Sequence, residues 1–173
     1  MKETKKFFCI FAAITTLFVP AFAAAQGAQK AGSDTYTWNA ELVALDENAR
    51  TLTVKSRVVG DQPMAELGKF KAGDRIVLTW SGFDKYADAI NHAVRYDAAK
   101  KYEERFTFPV EFVAFDSAHQ YVTFKAPVPA NGVSAIKSLK PGEWITATSP
   151  HAKSAESPIV SVRPYVSSAT NSN

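Results

Sequence analysis

Sulfur is nearly absent from this chain. Its 173 residues hold one cysteine and two methionines. A lone cysteine excludes an intramolecular disulfide. Cys9 lies inside an N-terminal apolar run rather than at a processing point, so it is not a lipid acceptor. Soft-metal sites need thiolate or thioether donors, and beyond Met1 and Cys9 only Met64 offers one. Histidine is equally scarce. His92, His119 and His151 have no histidine or cysteine partner at ligand spacing. No Gly-x-Ser-x-Gly elbow is present, and no glycine-rich loop follows a strand to cradle a phosphate. These gaps point away from an enzyme and from a resident cofactor. A large charge of one sign is missing too: 20 Lys and Arg face 17 Asp and Glu.

The N-terminus is informative. Lys2, Lys5 and Lys6 form a positive head, Phe7 to Val19 is apolar, and Pro20 precedes Ala21-Phe22-Ala23-Ala24-Ala25. That order is expected of a signal peptide over residues 1–25, with Ala-x-Ala cleavage after Ala23 or Ala25. The apolar run is short of the roughly 20 residues that a membrane span needs, and no later segment approaches that length. Removing residues 1–25 takes away three lysines and one glutamate, so the net charge falls from +3 to +1. A near-neutral chain gives no electrostatic case for nucleic acid, where affinity rests on neutralising phosphates. The expected location is periplasmic or secreted.

The rest of the chain says one thing twice, and such repetition shapes the architecture. Ala40-Glu41-Leu42-Val43-Ala44-Leu45-Asp46 with Leu52-Thr53-Val54-Lys55 returns as Val110-Glu111-Phe112-Val113-Ala114-Phe115-Asp116 with Val122-Thr123-Phe124-Lys125. Phe70-Lys71-Ala72-Gly73-Asp74-Arg75-Ile76 matches Leu139-Lys140-Pro141-Gly142-Glu143-Trp144-Ile145, and Val94-Arg95 matches Val162-Arg163. The organisation expected is a loose leader at 26–36, one β module at 37–97, a charged linker at 98–105, a second module at 106–166 and a disordered tail at 167–173. The fold class expected is all-β, two small OB- or SH3-like barrels.

Each module opens as a hairpin. Trp38, Ala40, Leu42 and Ala44 alternate with polar or outward positions, the period of a strand. Residues summing to 96 should face each other, so Glu41 meets Lys55 and Leu42 meets Val54. The same register puts Glu111 against Lys125 and Phe112 against Phe124. Such charged pairs hold register and contribute about 0.2–1 kcal/mol each. Lys71–Asp74 and Lys140–Glu143 suit type II turns with glycine third. Short helical turns are expected at Ala65–Phe70 and Ser134–Leu139, the latter capped by Ser134. Third strands are expected at Arg57–Val59 and Ala126–Val128, and closing strands at Ala89–Tyr96 and Ile159–Val166.

Candidate sites are few. Phe83, Tyr86, Ala87 and Ile90 fall at helical spacing. On such a helix Asp84, Asp88 and His92 share a face and can bind a divalent ion. Assigning His92 to the closing strand takes it off that face, so no metal site is expected. Trp38 reads as core. Trp144 alternates with Ile145 and is expected outside, where it and the aromatics Phe83 and Tyr86 form the candidate contact surface.

The pattern from Val43 through Asp46, Arg50 to Lys55 and Phe70 to Leu78 resembles small exported bacterial β-barrel domains of unknown function. It is also similar to periplasmic copper/silver efflux chaperones, whose barrel is OB-like. In those chaperones a histidine, a tryptophan and closely spaced methionines between the second strand and the turn bind the metal. Here Val58-Val59-Gly60-Asp61-Gln62-Pro63-Met64 supplies one methionine, and no ligand set carries over. With no nucleophile, cofactor fingerprint or soft-metal ligand set, elimination leaves a non-catalytic binding or structural module of the cell envelope as the expected function. The partners expected are an envelope protein, a glycan or a small ligand. Metal handling of the chaperone type is the alternative.

Overall fold

The computed structural model describes residues 35–81, 89–102, 106–150 and 159–166. The expected signal peptide, leader and tail lie outside them, apart from Thr35 and Tyr36 of the leader. The strands are β1 (Thr35–Asp46), β2 (Thr51–Arg57), β3 (Arg75–Ser81), β4 (Ala89–Arg95), β5 (Thr107–Asp116), β6 (Tyr121–Pro127), β7 (Trp144–Pro150) and β8 (Ser161–Pro164). Two short helices, α1 (Asp61–Leu67) and α2 (Ala130–Ile136), follow β2 and β6. The fold is mostly β. All eight strands form one antiparallel sheet in the order β4-β3-β5-β6-β2-β1-β7-β8.

Both hairpins form in the expected register. Glu41 opposes Lys55 and Leu42 opposes Val54, as Glu111 opposes Lys125 and Phe112 opposes Phe124. Asp46 and Asp116 shape the turns by accepting the N–H of Ala49 and His119 at 2.8 and 3.1 Å. Beyond Leu42 and Phe112 the register shifts by one, because Val43 and Val113 are each an extra residue. A bulge of this kind flips the alternation. Ala44 is therefore exposed rather than inward, and Leu45 packs on the core in its place.

The hairpins then pair across the chain. β1 lies beside β7, β5 beside β3, and β2 beside β6. Each hairpin thus joins strands that come from the other half of the sequence. From one end the order runs β4-β3-β5-β6, and from the other β8-β7-β1-β2. The sheet is curled as well. Trp38 on β1 stacks at 4.9 Å on Trp80 of β3, although three strands separate them in the sheet. Phe108 stacks at 5.2 Å on Trp38, and Phe124 closes in at 6.1 Å from Trp38. Burying an indole of this kind stabilises the fold by about 4–6 kcal/mol before entropy is counted.

Four expectations are corrected. Arg57 ends β2, and Val58 makes only a single parallel bridge to Ile90, so no third strand forms there. Ala126 and Pro127 likewise finish β6. The helices start four residues earlier than expected. Pro63 sits in the first turn of α1 and Pro129 at the N-cap of α2, where no helical N–H is required. Ser134 is inside α2 rather than at its cap, and its hydroxyl donates to the Ala130 carbonyl at 3.4 Å. The likeness of Val94-Arg95 to Val162-Arg163 is off by one. Ala93 opposes Leu78 as Val162 opposes Ala147, so strand pairing makes Ala93 and Val162 equivalent. The two turns do carry glycine at left-handed φ, +89° at Gly73 and +91° at Gly142, as a type II turn requires.

Candidate functional site

Trp144 opens β7 immediately after the Gly142 turn. Its inward neighbours Ile145 and Ala147 are fully buried, so the alternation of the strand sends Trp144 outward. It is 43% exposed, one of few large apolar side chains so placed among the described residues. Tyr165 joins it, with ring centroids 6.4 Å apart and a 58° tilt. Backbone pairing holds the two together, because the Tyr165 N–H donates to the Trp144 carbonyl at 2.9 Å. Glu41 lies opposite Trp144 across the β1–β7 ladder and is paired with Lys55 at 2.9 Å. The patch therefore offers two ring faces beside a carboxylate and an ammonium. Next to it the Thr146 hydroxyl donates to Asn39 Oδ1 at 2.8 Å.

The equivalent position in the first half is built differently. Arg75 replaces Trp144, and its guanidinium lies 4.2 Å from the centre of the Tyr96 ring. That ring also stacks on Tyr102 at 5.7 Å. Arg95 reaches Asp74 at 2.9 Å, and this bond, with the Lys71 backbone N–H, lowers the Asp74 carboxyl below its ordinary range. Cation–π contact and ion pairing cover the aromatic surface on that side.

A second group of polar atoms is buried rather than exposed. The Trp38 indole N–H donates to Ser149 Oγ at 2.9 Å. Burial pushes the Tyr36 phenol well above its usual range, and the nearby Ser149 hydroxyl opposes that shift. A phenol so placed stays neutral at physiological pH.

Among the residues expected from sequence, Trp144 is exposed as anticipated. Phe83, Tyr86, Asp84 and Asp88 lie outside the described residues, as does His151. His92 is on β4 opposite Thr79, half-buried and beside the bulge at Asn91. His119 is in the second hairpin turn with its Nδ1 2.7 Å from Asp116 Oδ2. Met64 packs against the core. No group of three His, Cys, Asp or Glu suited to a metal occurs among the described residues. Tyr165 escaped notice in the sequence. Its signal was available in the register, since Tyr165 and Tyr96 both follow the closing strand and bond the first residue of its neighbour.

Comparison with protein-family models, with curated proteins and with solved structures finds no match for this chain. Among the described residues no helix is long and apolar enough to cross a membrane.

Proposed function

We propose that this chain is a non-catalytic, exported binding or structural module of the cell envelope, and that the Trp144–Tyr165 patch is its contact surface. The observation that carries the reading is Trp144 itself. A side chain of this size left 43% exposed on a sheet face costs hydration free energy that a partner can recover. The other half places a charged Arg75 at the same register. Export is argued from the N-terminal sequence pattern.

The repeat belongs to the same proposal. The chain consists of two OB-like half-modules, 37–97 and 106–166, which interlock by exchanging hairpins. Identical pairing of Glu41–Lys55 and Glu111–Lys125 supports it, as do the matching bulges and matching glycine turns.

Site-specific photocrosslinking tests the function. A photoreactive phenylalanine at position 144, in cells producing the full chain, is expected to give a discrete adduct that mass spectrometry identifies as an envelope component. The same probe at the exposed Val43 is the control. No adduct from 144, or one indistinguishable from the control, would sink the proposal. Fractionation with N-terminal sequencing checks export, with a mature start near Ala24 or Gln26 expected.

A further inference from the structure

Two places on the outer sheet face share a strand register and differ in side chains. Glu41 opposes Trp144 where Glu111 opposes Arg75. Two residues along the same strands, Asn39 opposes Thr146 where Pro109 opposes Val77. The Glu–Lys pair recurs at both places, Glu41–Lys55 at 2.9 Å and Glu111–Lys125 at 3.2 Å. The bare ring and the amide–hydroxyl pair occur together, at the first place only.

Trp144 is 43% exposed. For a side chain of roughly 150–250 Å² that leaves about 65–110 Å² of indole in water. Among the described residues no cation covers it, whereas Lys55 lies 5.2 Å from the Tyr121 ring centre and Arg75 4.2 Å from that of Tyr96. A stable protein partner covers about 800 Å² on each side, around a packed apolar core. Even with Tyr165 beside it, the apolar patch is far smaller than that. Polar groups enclose it instead. The Glu41 carboxylate faces it across the ladder, bonded to the Lys55 ammonium. The Thr146 hydroxyl donates to Asn39 Oδ1 at 2.8 Å and holds that amide in one orientation.

We infer that this surface binds a neutral pyranose glycan, with one sugar ring stacked on Trp144. The inference rests on the contact surface proposed above and names its ligand. A pyranose combines the two chemistries that the patch offers. Its axial C–H groups make an apolar, weakly positive face, and the face of an aromatic ring is negative. Its neighbouring hydroxyls each donate and accept. A carboxylate accepts from two of them, and an amide accepts from one while donating to the next. The Lys55 ammonium neutralises Glu41, so the frame favours an uncharged ligand. Paired strands hold every member of it, and a site formed in advance loses little on binding. A single ring on an open surface still binds weakly, with Kd on the order of 1 mM.

Trp144 reports on its own occupancy. The chain has three indoles, and those of Trp38 and Trp80 are buried. The test is NMR of the indole N–H signals of the exported protein, titrated with cellotriose, maltotriose and triacetylchitotriose. The Trp144 signal should shift saturably with at least one of them, while the signals of Trp38 and Trp80 stay in place. Trp144→Arg should abolish binding. It should also keep the fold, since Arg75 already stands at the matching register, and the two buried indoles report whether it does. Glu41→Gln should weaken binding by about 2- to 10-fold. A Trp144 signal unmoved by all three sugars at about 20 mM overturns the inference. So does binding that Trp144→Arg or Glu41→Gln leaves at full strength. Photocrosslinking from position 144 separates this inference from the reading beneath it. A protein adduct without a response to sugar removes the glycan and leaves the contact surface standing. Neither adduct nor response removes both.

Discussion

Trp38 and Phe108 occupy equivalent places on β1 and β5, and Trp80 and Ser149 occupy equivalent places on β3 and β7. The two halves share backbone registers but fill their common centre in opposite ways. The first half supplies two indoles, and the second supplies a phenyl ring and a hydroxyl. Trp38 stacks on both Trp80 and Phe108, so three rings already fill that centre. A large group on one side therefore faces a small one on the other, and packing stays dense. The small side also carries polar chemistry, since Ser149 accepts the Trp38 indole N–H at 2.9 Å. The strand registers correspond while the side chains in the centre differ.

The sharpest way to break that comparison is to truncate each member of one equivalent pair. Trp80→Ala should cost about 3–5 kcal/mol, because the cavity lies among rings that cannot collapse into it. Ser149→Ala removes one acceptor and leaves the Trp38 indole N–H buried without its partner, at about 1–3 kcal/mol. Chemical denaturation of the two variants measures both. Equal costs would mean that the two halves contribute alike, and the asymmetry would be only apparent.

Helix packing is the next difference. Gly132 of α2 lies against β8, where an added Cβ would fall 2.7 Å from Val162 Cγ1 and 2.9 Å from Val128 Cγ2. Both are short, branched side chains with little room to move. Gly68, at the C-cap of α1, has an ordinary helical φ of −64° and only carbonyl oxygens 3.7 Å or more from such a Cβ. Gly132→Ala is thus expected to destabilise by about 1–3 kcal/mol. Gly68→Ala is expected to be neutral or to stabilise by about 0.4–1 kcal/mol by restricting the unfolded chain. Thermal melts of the two variants decide it. A Gly132→Ala protein as stable as the parent would show that α2 sits loosely on β8.

Much of this was legible in the chain. The hairpins were, because Asp46 and Asp116 open turns between runs of period two, and Glu41–Lys55 and Glu111–Lys125 fall at one spacing. The bulges were not, because Val43 and Val113 are as apolar as their neighbours and nothing local marks either as the extra residue. Hairpin exchange was not legible either. A strand encodes its inward face in its side chains, but it bonds its neighbours through backbone groups that every residue shares. Pairing β1 with β7 rather than β3 depends on where the whole chain can bury Trp38. Of the candidate site, Trp144 was visible by alternation with Ile145. Tyr165 was hidden by the resemblance of Val162-Arg163 to Val94-Arg95.

The smallest expected effect separates the two hairpin turns. Ala49 and His119 occupy the same place, and both donate a backbone N–H to the aspartate that opens the turn. Only His119 adds a side chain to that contact. Its imidazole, first, and then its backbone N–H lower the Asp116 carboxyl below the ordinary carboxylate range. The group is fully exposed, so solvent screens the interaction and little global stability rides on it. The sign is nonetheless fixed. A carboxyl with a depressed folded-state pKa contributes stability above its unfolded pKa of about 3.9, and that contribution fades as pH falls through the folded value. His119→Ala deletes the imidazole and keeps the backbone N–H. The Asp116 midpoint should therefore rise partway toward 3.9 without reaching it, as followed by carboxyl-carbon NMR across acid pH. An unmoved Asp116 midpoint would assign the shift to the turn backbone alone. The two hairpins would then be equivalent in chemistry as well as in register.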